Sequence, residues 1–283
     1  MTSMIGKVTW MAHSARHRVR RWQSRGGLPV LEAEDMRIVA DLKAQGGCAT
    51  SLDRLDVPDS GSLLVEGDRL MERMRALPTH AGKKSYVTSA PPEVIIDFPE
   101  IIRWGLDERL LAIAENYMGM PVAYRGVLAR LDFPDGQVEE TRIWHLDQED
   151  ERIMKIIVYL GDVDEEGGPF EYIPASTSPP LHLAIGDKLR VADDAALEAA
   201  VPADKWQAVV GPRGTVAFAD TCYVLHRGRL PTRGVRKTLF YAYNTQWPYR
   251  PTYCAPMFPV DRFLAASPGL TARQKAAIDF RYM

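Results

Sequence analysis

In the first 120 residues, apolar positions recur three and four residues apart, which is the spacing of an amphipathic helix. The run Glu32–Gly47 follows this spacing and ends at two glycines. Asp107–Gly119 begins with acids and ends at a glycine, and a further helical run lies near Gly67–Leu77. We therefore predict a mostly helical N-terminal part over residues 1–120.

After Pro121 the pattern changes to short runs of β-branched and aromatic residues, separated by Gly, Pro, Asp or Asn. The runs include AYRGVLARLDF, RIWHLDQ, RIMKIIVYLGDV, GPFEYIP, HLAIGDKLRV, WQAVVG, GTVAFAD, YVLHRG and KTLFYAYN. Many short strands predict a β-sandwich or barrel, and the helices and strands do not alternate as a Rossmann sheet requires. We expect this β core to span residues 121–250, with DDAALEAAVPADKW as a helical insert or loop.

The C-terminal residues 251–283 form a predicted tail with one short helix. Thr271 lies three residues before Gln274, which is the spacing of a capping box. No internal repeat, low-complexity stretch or linker divides the sequence. We therefore expect a single domain over residues 1–283 that is mainly β with flanking helices, an α+β fold class.

The composition is that of an ordinary globular protein, with 283 residues, 46% hydrophobic and 25% charged residues and a net charge of -2. This balance gives no reason to expect a nucleic-acid partner. Three cysteines without a spacing motif favour a reducing compartment. No apolar run reaches the roughly 20 residues of a transmembrane helix, and the N-terminus lacks a signal-peptide core. We therefore expect a soluble, cytoplasmic protein.

One local charge bias lies near the N-terminus. Six basic residues fall between Lys7 and Arg25, and no acid occurs before Glu32. Two interpretations remain open at this point. The segment is either a solvated helix or arm, or it makes a weak contact with an anionic surface, lipid or substrate.

The strongest chemical signal is the pair His145 and Asp147 in TRIWHLDQED. Because strand side chains alternate between faces, both residues point the same way and can bind one metal ion. A third ligand must come from elsewhere, and His226 in TCYVLHRGRL is the best candidate. Two imidazoles and one carboxylate leave three coordination positions open, which suits non-haem Fe(II) with a bidentate cosubstrate and dioxygen. A structural zinc site would more often have a fourth protein ligand.

Four further basic residues are candidates for binding a cosubstrate or substrate. Arg236 follows His226 by ten residues, and its guanidinium suits the distal carboxylate of a dicarboxylate cosubstrate, with Arg233 as the competitor for this role. Lys155 and Arg130 lie on predicted strands, where a buried cation needs an anion: cosubstrate, substrate or a structural carboxylate.

The remaining histidines are predicted to have no metal role. His13, His17 and His80 have no partner at ligand spacing, and His182 lies beside Pro179-Pro180 in a predicted loop.

The segments WHLDQED, KIIVYLGDVDEEGGPFEYIP and GTVAFADTCYVLHRG, followed by Arg236, resemble the phytanoyl-CoA dioxygenase-like branch of the Fe(II)/2-oxoglutarate oxygenases. The resemblance covers roughly residues 124–244. It implies a double-stranded β-helix (jelly-roll, cupin-like) core, with iron on His145, Asp147 and His226 and 2-oxoglutarate on Arg236. The implied reaction uses O₂ to hydroxylate an unactivated C–H of a small-molecule or carrier-linked substrate, with release of succinate and CO₂.

The resemblance has limits that leave alternatives open. The family's halogenases have a small residue in place of the carboxylate, so Asp147 favours hydroxylation. The segment Pro174–Thr177 departs from the Gly-Ser-His that often follows the proline in this family, so no substrate is inferred from relatives. Desaturation, ring formation and epimerisation remain possible outcomes of the same chemistry. The alternative from another class is a non-catalytic cupin-like module that binds a metal or ligand.

Overall fold

A computed structural model describes residues 4–77, 87–177, 190–191 and 194–280 of the chain. Two antiparallel β-sheets face each other, and helices cover the outer side of the larger sheet. The helices are α1 Met4–Ser24, α2 Ala33–Gln45, α3 Leu52–Leu55, α4 Ser60–Arg75, α5 Pro92–Ile95, α6 Pro99–Trp104, α7 Glu108–Met118, α8 Asp194–Ala200, α9 Val260–Ala266 and α10 Ala272–Ile278.

The strands form a larger and a smaller sheet. They are β1 Gly47–Ser51, β2 Val87–Ser89, β3 Val122–Asp132, β4 Trp144–His145, β5 Ile153–Tyr159, β6 Phe170–Tyr172, β7 Arg190–Val191, β8 Gln207–Val209, β9 Thr215–Ala219, β10 His226–Gly228 and β11 Arg236–Thr245. Within the described residues, the larger sheet has the order β1-β9-β5-β11-β3-β2 and the smaller sheet the order β7-β4-β10-β6-β8. The predicted jelly-roll core with flanking helices is confirmed.

The helix ends form where the sequence predicted them. Gly46 and Gly119 follow α2 and α7 with φ of 78° and 74°, a left-handed conformation that glycine adopts without strain. Their backbone N–H groups donate to the carbonyls of Leu42 and Glu115, which satisfies the last turn of each helix. At α10, Thr271 and Gln274 form the predicted capping box, in which each side chain accepts from the other's backbone N–H.

The period-two alternation of the large sheet separates two environments. On β11, Leu239, Tyr241 and Tyr243 are fully buried against the helical layer. Thr238 and Phe240 alternate with them and face a cavity between the sheets. One face of the strand therefore stabilises the fold through apolar burial, and the other face supplies the side chains of the site.

The part predicted as mostly helical also contains two strands. β1 pairs with β9 over Gly47↔Ala219 to Ser51↔Thr215, and β2 pairs with the end of β3. Together they form the edges of the larger sheet. β1 has the sequence GCATS, which is too short and too poor in large residues for a period-two pattern. Its Gly47 is required by close packing, because a Cβ there would lie 2.9 Å from the Tyr172 ring.

None of the helices within the described residues is both long enough and apolar enough to cross a bilayer.

Candidate metal and cosubstrate site

His145 and His226 lie directly opposite each other on the neighbouring strands β4 and β10. Their ring centroids are 4.2 Å apart and both residues are buried. The Nδ1 atom of His145 lies 2.8 Å from the carbonyl oxygen of Ile143, and that of His226 lies 3.2 Å from the carbonyl oxygen of Val224. A carbonyl oxygen only accepts, so each Nδ1 carries the proton, and Nε2 is the atom of each ring that would bind a metal.

Asp147 completes the cluster from the loop after β4. Its backbone N–H donates to the carbonyl of Thr221 at 2.9 Å, which fixes the loop beside the turn between β9 and β10. Its carboxylate oxygens lie 3.7 Å from Nε2 of His145 and 3.7 Å from Nε2 of His226. One ligand atom from each of the three residues lies within 4.8 Å of the others, so the sequence-predicted ligands converge on one point and fit one metal ion.

The protonation states favour metal binding. Burial and the neighbouring His145 lower the pKa of His226 to about 3, so this imidazole is neutral at physiological pH. Burial alone would raise the pKa of Asp147, but the charge of Lys155 and the two histidines hold it well below its usual value. The cluster therefore presents one carboxylate and two imidazoles, of which that of His226 is neutral, and these residue types form the donor set expected for a non-haem Fe(II) site.

Lys155 reaches the cluster from β5 in the opposite sheet. Its Nζ donates to Oδ2 of Asp147 at 2.5 Å. Burial alone would lower the pKa of Lys155, but the Asp147 carboxylate raises it, so the ammonium stays charged. The residue predicted to bind a cosubstrate or substrate thus contacts the ligand cluster itself. Here it compensates the buried negative charge of Asp147.

Arg236 and Arg130 share one buried carboxylate. Asp132 lies opposite Arg236 in the β11–β3 register, and its Oδ2 is 2.9 Å from Nη2 of Arg236. Nη2 of Arg130 donates to the other oxygen of Asp132 at 2.7 Å and to Oγ1 of Thr141 at 3.2 Å. Burial raises the pKa of Asp132, but the two guanidiniums outweigh it and lower the pKa overall. Two guanidiniums on one carboxylate leave a net positive charge beside the candidate ligands His145, Asp147 and His226.

The structure distinguishes Arg236 from its competitor. Arg236 is buried in the cavity wall, where Nη1 donates to the carbonyl of Gly168. Its guanidinium lies over Gly228, so a Cβ at that position would come within 2.6 Å of Nη2. Arg233 is exposed and pairs with Asp164 and with Glu166 on the surface. Only Arg236 of this pair lines the cavity.

The cavity that joins these groups has a volume of about 150 Å³. All six predicted site residues line it. Its apolar wall is formed by Leu128, Ile157, Phe170, Phe240, Ala242 and Met257. Two hydroxyls in the wall, of Thr238 and Thr221, are buried without a hydrogen-bond partner in the described part of the chain, and so is Nε of Arg236. A bound anion would satisfy such donors, and a dicarboxylate therefore fits this cavity.

Several residues of the site were not recognised in the sequence. Asp132 lies two residues after Arg130, and Thr238 two residues after Arg236, so each shares a strand face with its arginine. The same alternation that placed His145 with Asp147 would have indicated both. Gly228 could not have been recognised, because its role depends on the guanidinium of another strand.

The expectation that His13 and His17 have no partner at ligand spacing was wrong. His13 and His17, one helical turn apart on α1, meet Asp150, and ligand atoms of the three lie within 4.8 Å of one another. Asp150 already accepts from Thr245 Oγ1 at 2.7 Å and from the backbone N–H of Tyr249 at 3.1 Å. This second cluster therefore anchors α1 to the loop that follows Asp147. His80 and His182 lie outside the described residues.

Two facing antiparallel sheets, with the ligand cluster between them, define the chain as a double-stranded β-helix protein of the cupin-like type. No protein-family model and no curated protein matches the chain. Solved structures do. The carbocyclase SnoK from nogalamycin biosynthesis is 19% identical, with a TM-score of 0.54 over 81% of this chain and 93% of that chain. EctD from S. alaskensis is 19% identical, with a TM-score of 0.53 over 81% and 85%. The epimerase SnoN, in complex with Fe³⁺, alpha ketoglutarate and nogalamycin RO, is 19% identical, with a TM-score of 0.52 over 78% and 87%.

Proposed function

We propose that the protein is a non-haem Fe(II)/2-oxoglutarate-dependent dioxygenase that hydroxylates an unactivated C–H of a small-molecule or carrier-linked substrate. The observation that carries the proposal is the convergence of His145, Asp147 and His226 in a cavity that also contains Arg236. The structural neighbours support it, because SnoK is described as alpha ketoglutarate dependent and one EctD structure contains 2-oxoglutarate and 5-hydroxyectoine.

The residues fit iron and its cosubstrate. His145, Asp147 and His226 would hold Fe(II), since their donor set and burial match that ion. Arg236 would bind the distal carboxylate of 2-oxoglutarate, assisted by the unpartnered hydroxyl of Thr238 on the same strand face. Asp132 positions the guanidinium of Arg236 through their ion pair. Lys155 and Arg130 pair with Asp147 and Asp132, and beyond these pairs they would add positive charge that attracts the anionic groups of cosubstrate or substrate.

When bound, iron and 2-oxoglutarate supply the oxidising chemistry, in which O₂ is consumed, one oxygen atom enters the substrate C–H bond and the other leaves in succinate as CO₂ is lost. The chain supplies position and environment. The apolar wall around Ile157, Phe170 and Phe240 excludes water from the reacting atoms. The buried cations keep anionic groups in place without help from solvent.

Hydroxylation is proposed over halogenation because Asp147 is available as a ligand. The same fold serves an epimerase and a carbocyclase among its neighbours, so the product has to be measured. A module that only binds a metal or ligand is less well supported, because it gives no reason for a buried guanidinium beside the cluster. The three cysteines are free thiols, which supports a reducing, cytoplasmic location.

The test is substrate-stimulated succinate release with Fe(II), 2-oxoglutarate and O₂ across a panel of small metabolites. The wild-type protein should release succinate, and removal of iron with a chelator should stop it. An anaerobic mixture of protein, Fe(II) and 2-oxoglutarate should show a visible absorption band, which a binding-only barrel would lack. Turnover that survives iron removal would overturn the proposal.

A further inference from the structure

Helix α1 presents its polar side to the protein. Nε2 of His17 donates to the carbonyl of Trp247 at 2.8 Å, and Nε2 of His13 lies 3.2 Å from Oδ1 of Asp150. One turn further, Arg21 donates to the carbonyl of Met118 at 3.1 Å. These contacts fix the rotation of α1 about its axis, because the three side chains lie on one helical face.

The opposite side of α1 is apolar and faces solvent. Its residues recur at helical spacing and are called here the apolar stripe: Val8, Met11, Ala12, Ala15, Val19 and Trp22. The exposed fractions of the four large ones are 60% for Val8, 68% for Met11, 55% for Val19 and 68% for Trp22. A surface helix of a soluble protein ordinarily buries such a face, so the stripe calls for an external partner.

Arginines flank the apolar stripe on both sides. By helical spacing, Arg18 lies beside one edge and Arg16 beside the other, and both are exposed. Neither forms an ion pair with another residue of the described ranges. The sequence contains no acid from residue 1 to residue 31. The partner of this surface must therefore combine an apolar interior with negative charge.

We propose that α1 docks the protein on the surface of a bilayer that contains anionic lipids. An apolar stripe with tryptophan and flanking arginines is the composition of a helix that lies in the membrane interface. A second copy of the chain would bring an equally positive stripe, and the two would repel each other. A specific protein partner typically contacts roughly 20–30 residues per side, far more than the six of the stripe. This inference does not depend on the proposed oxygenase activity.

Two contributions should be separable by experiment. Each arginine near an anionic surface should strengthen binding roughly fivefold, and this part should weaken as salt screens the charges. The apolar side chains should add a part that salt does not remove. Binding should therefore need both anionic lipid and an intact stripe.

The experiment is flotation of the full chain with two kinds of vesicle. One is pure phosphatidylcholine, and the other is phosphatidylcholine with about 30% phosphatidylglycerol, which makes roughly one-third of the lipids anionic. The wild-type protein should float with the anionic vesicles only. Met11→Ser combined with Trp22→Ser should abolish flotation, and Arg16→Gln combined with Arg18→Gln should weaken binding at least tenfold. The matched control is Val65→Ser with Val138→Ser, two valines exposed by 52% and 54% outside α1, which should bind as the wild type does.

Three results would overturn the inference. The first is equal binding to neutral and anionic vesicles, and the second is no binding to either by the folded wild-type protein. The third is a wild-type dimer in light scattering that the Met11→Ser and Trp22→Ser substitutions convert to a monomer, because the stripe would then be a surface for self-association. Circular dichroism and thermal unfolding confirm that each variant is folded before its binding is scored.

Discussion

At the scale of single residues, Asp147 is the negative charge on which the candidate site is built. Its carboxylate contacts Lys155 and lies beside both histidines in a buried cavity. A buried carboxylate needs such compensation, and a metal ion would provide it more fully than an ammonium. Lys155, which contacts Oδ2 of Asp147, therefore already supplies part of the positive charge that a bound cation would bring to this carboxylate.

The first prediction concerns the ligands themselves. His145→Ala and Asp147→Ala should each lower metal affinity by more than 100-fold, because loss of groups that only orient a ligand already costs 10–100-fold. Metal content after dialysis and succinate release measure the effect. His13→Ala is the matched control, since His13 lies in the other cluster, and it should retain the metal. A variant without His145 that keeps full metal content would contradict the assignment.

The second prediction concerns the guanidinium of Arg236. Gly228→Ala would place a Cβ 2.6 Å from Nη2 of Arg236 and so displace it. The KM for 2-oxoglutarate should rise roughly tenfold with a smaller change in kcat, since a charge-assisted hydrogen bond contributes roughly 1.5–3 kcal/mol. Gly161→Ala is the control, because its Cβ would meet no atom within 4 Å. An unchanged KM in the folded Gly228→Ala variant would remove Arg236 from the cosubstrate site.

At the scale of elements, local patterns predicted the β core and the helices α2, α4, α7 and α10, but not the short helices α3, α5, α6 and α9 or the orientation of α1. The helices α2 and α7 end at glycines, and β5 is a long apolar run, so local patterns were sufficient there. For α1 the buried side is polar and the exposed side is apolar, which reverses the usual rule. β1 was missed because its five residues form a strand through pairing with β9, which lies far along the chain and is not visible in the local pattern.

The difference between local patterns and contacts across the fold also explains which parts of the site could be predicted. The side-chain chemistry of His145, Asp147 and His226 is visible in the sequence, and a period of two puts the first pair on one face. Asp132 bridges Arg130 and Arg236 only because β3 and β11 are neighbours in the fold. Contacts between distant strands are set by topology, which local patterns do not contain.

The third prediction tests how α1 is anchored. Burial alone would raise the pKa of Glu151, but the side chain of His17 and the charge of Arg21 lower it to about 2. A depressed folded-state pKa gives stability that is present above the ordinary value of 4.5 and is lost as the pH falls towards 2. Urea unfolding over this range should show a smaller loss of stability for Glu151→Gln than for the wild type.

The contacts around Glu151 indicate which comparison is informative. Ser14 donates to its Oε1 at 3.2 Å and Arg21 to its Oε2 at 3.0 Å, so α1 contributes these two partners as well as His17. Glu93→Gln, on α5 away from this network, is the control and should titrate as the wild type does. Parallel pH curves for Glu151→Gln and the wild type would show that the α1 contact does not stabilise the fold.

At the scale of the whole molecule, both sheets contribute side chains to the candidate site. The candidate ligands His145 and His226 lie on the smaller sheet, whereas Lys155 and Arg236 come from the larger one. Ligands that contact both sheets should therefore stabilise the entire domain and not one strand alone. A ligand at 100 times its Kd contributes about 2.7 kcal/mol.

The fourth prediction follows from this linkage. Ni(II), as a metal that does not turn over, together with 2-oxoglutarate should raise the Tm by roughly 5–10 °C. The thermal shift is measured by circular dichroism with each ligand alone and with both. His226→Ala should lose the shift caused by the metal. A full shift in that variant would locate the metal elsewhere, with the second cluster of His13, His17 and Asp150 as the place to look.

The pairing of β1 with β9 has a consequence for how the protein is made. During translation, Gly47–Ser51 leaves the ribosome long before Thr215–Ala219 is synthesised. The edge strand β1 therefore remains unpaired until β9 is complete. A chain released early would leave the hydrogen-bonding groups of an unfinished sheet uncovered, which favours aggregation. Fragments that begin after β1 should be insoluble for the same reason. Addition of a separate peptide that contains β1 should restore solubility only if this peptide can pair with β9.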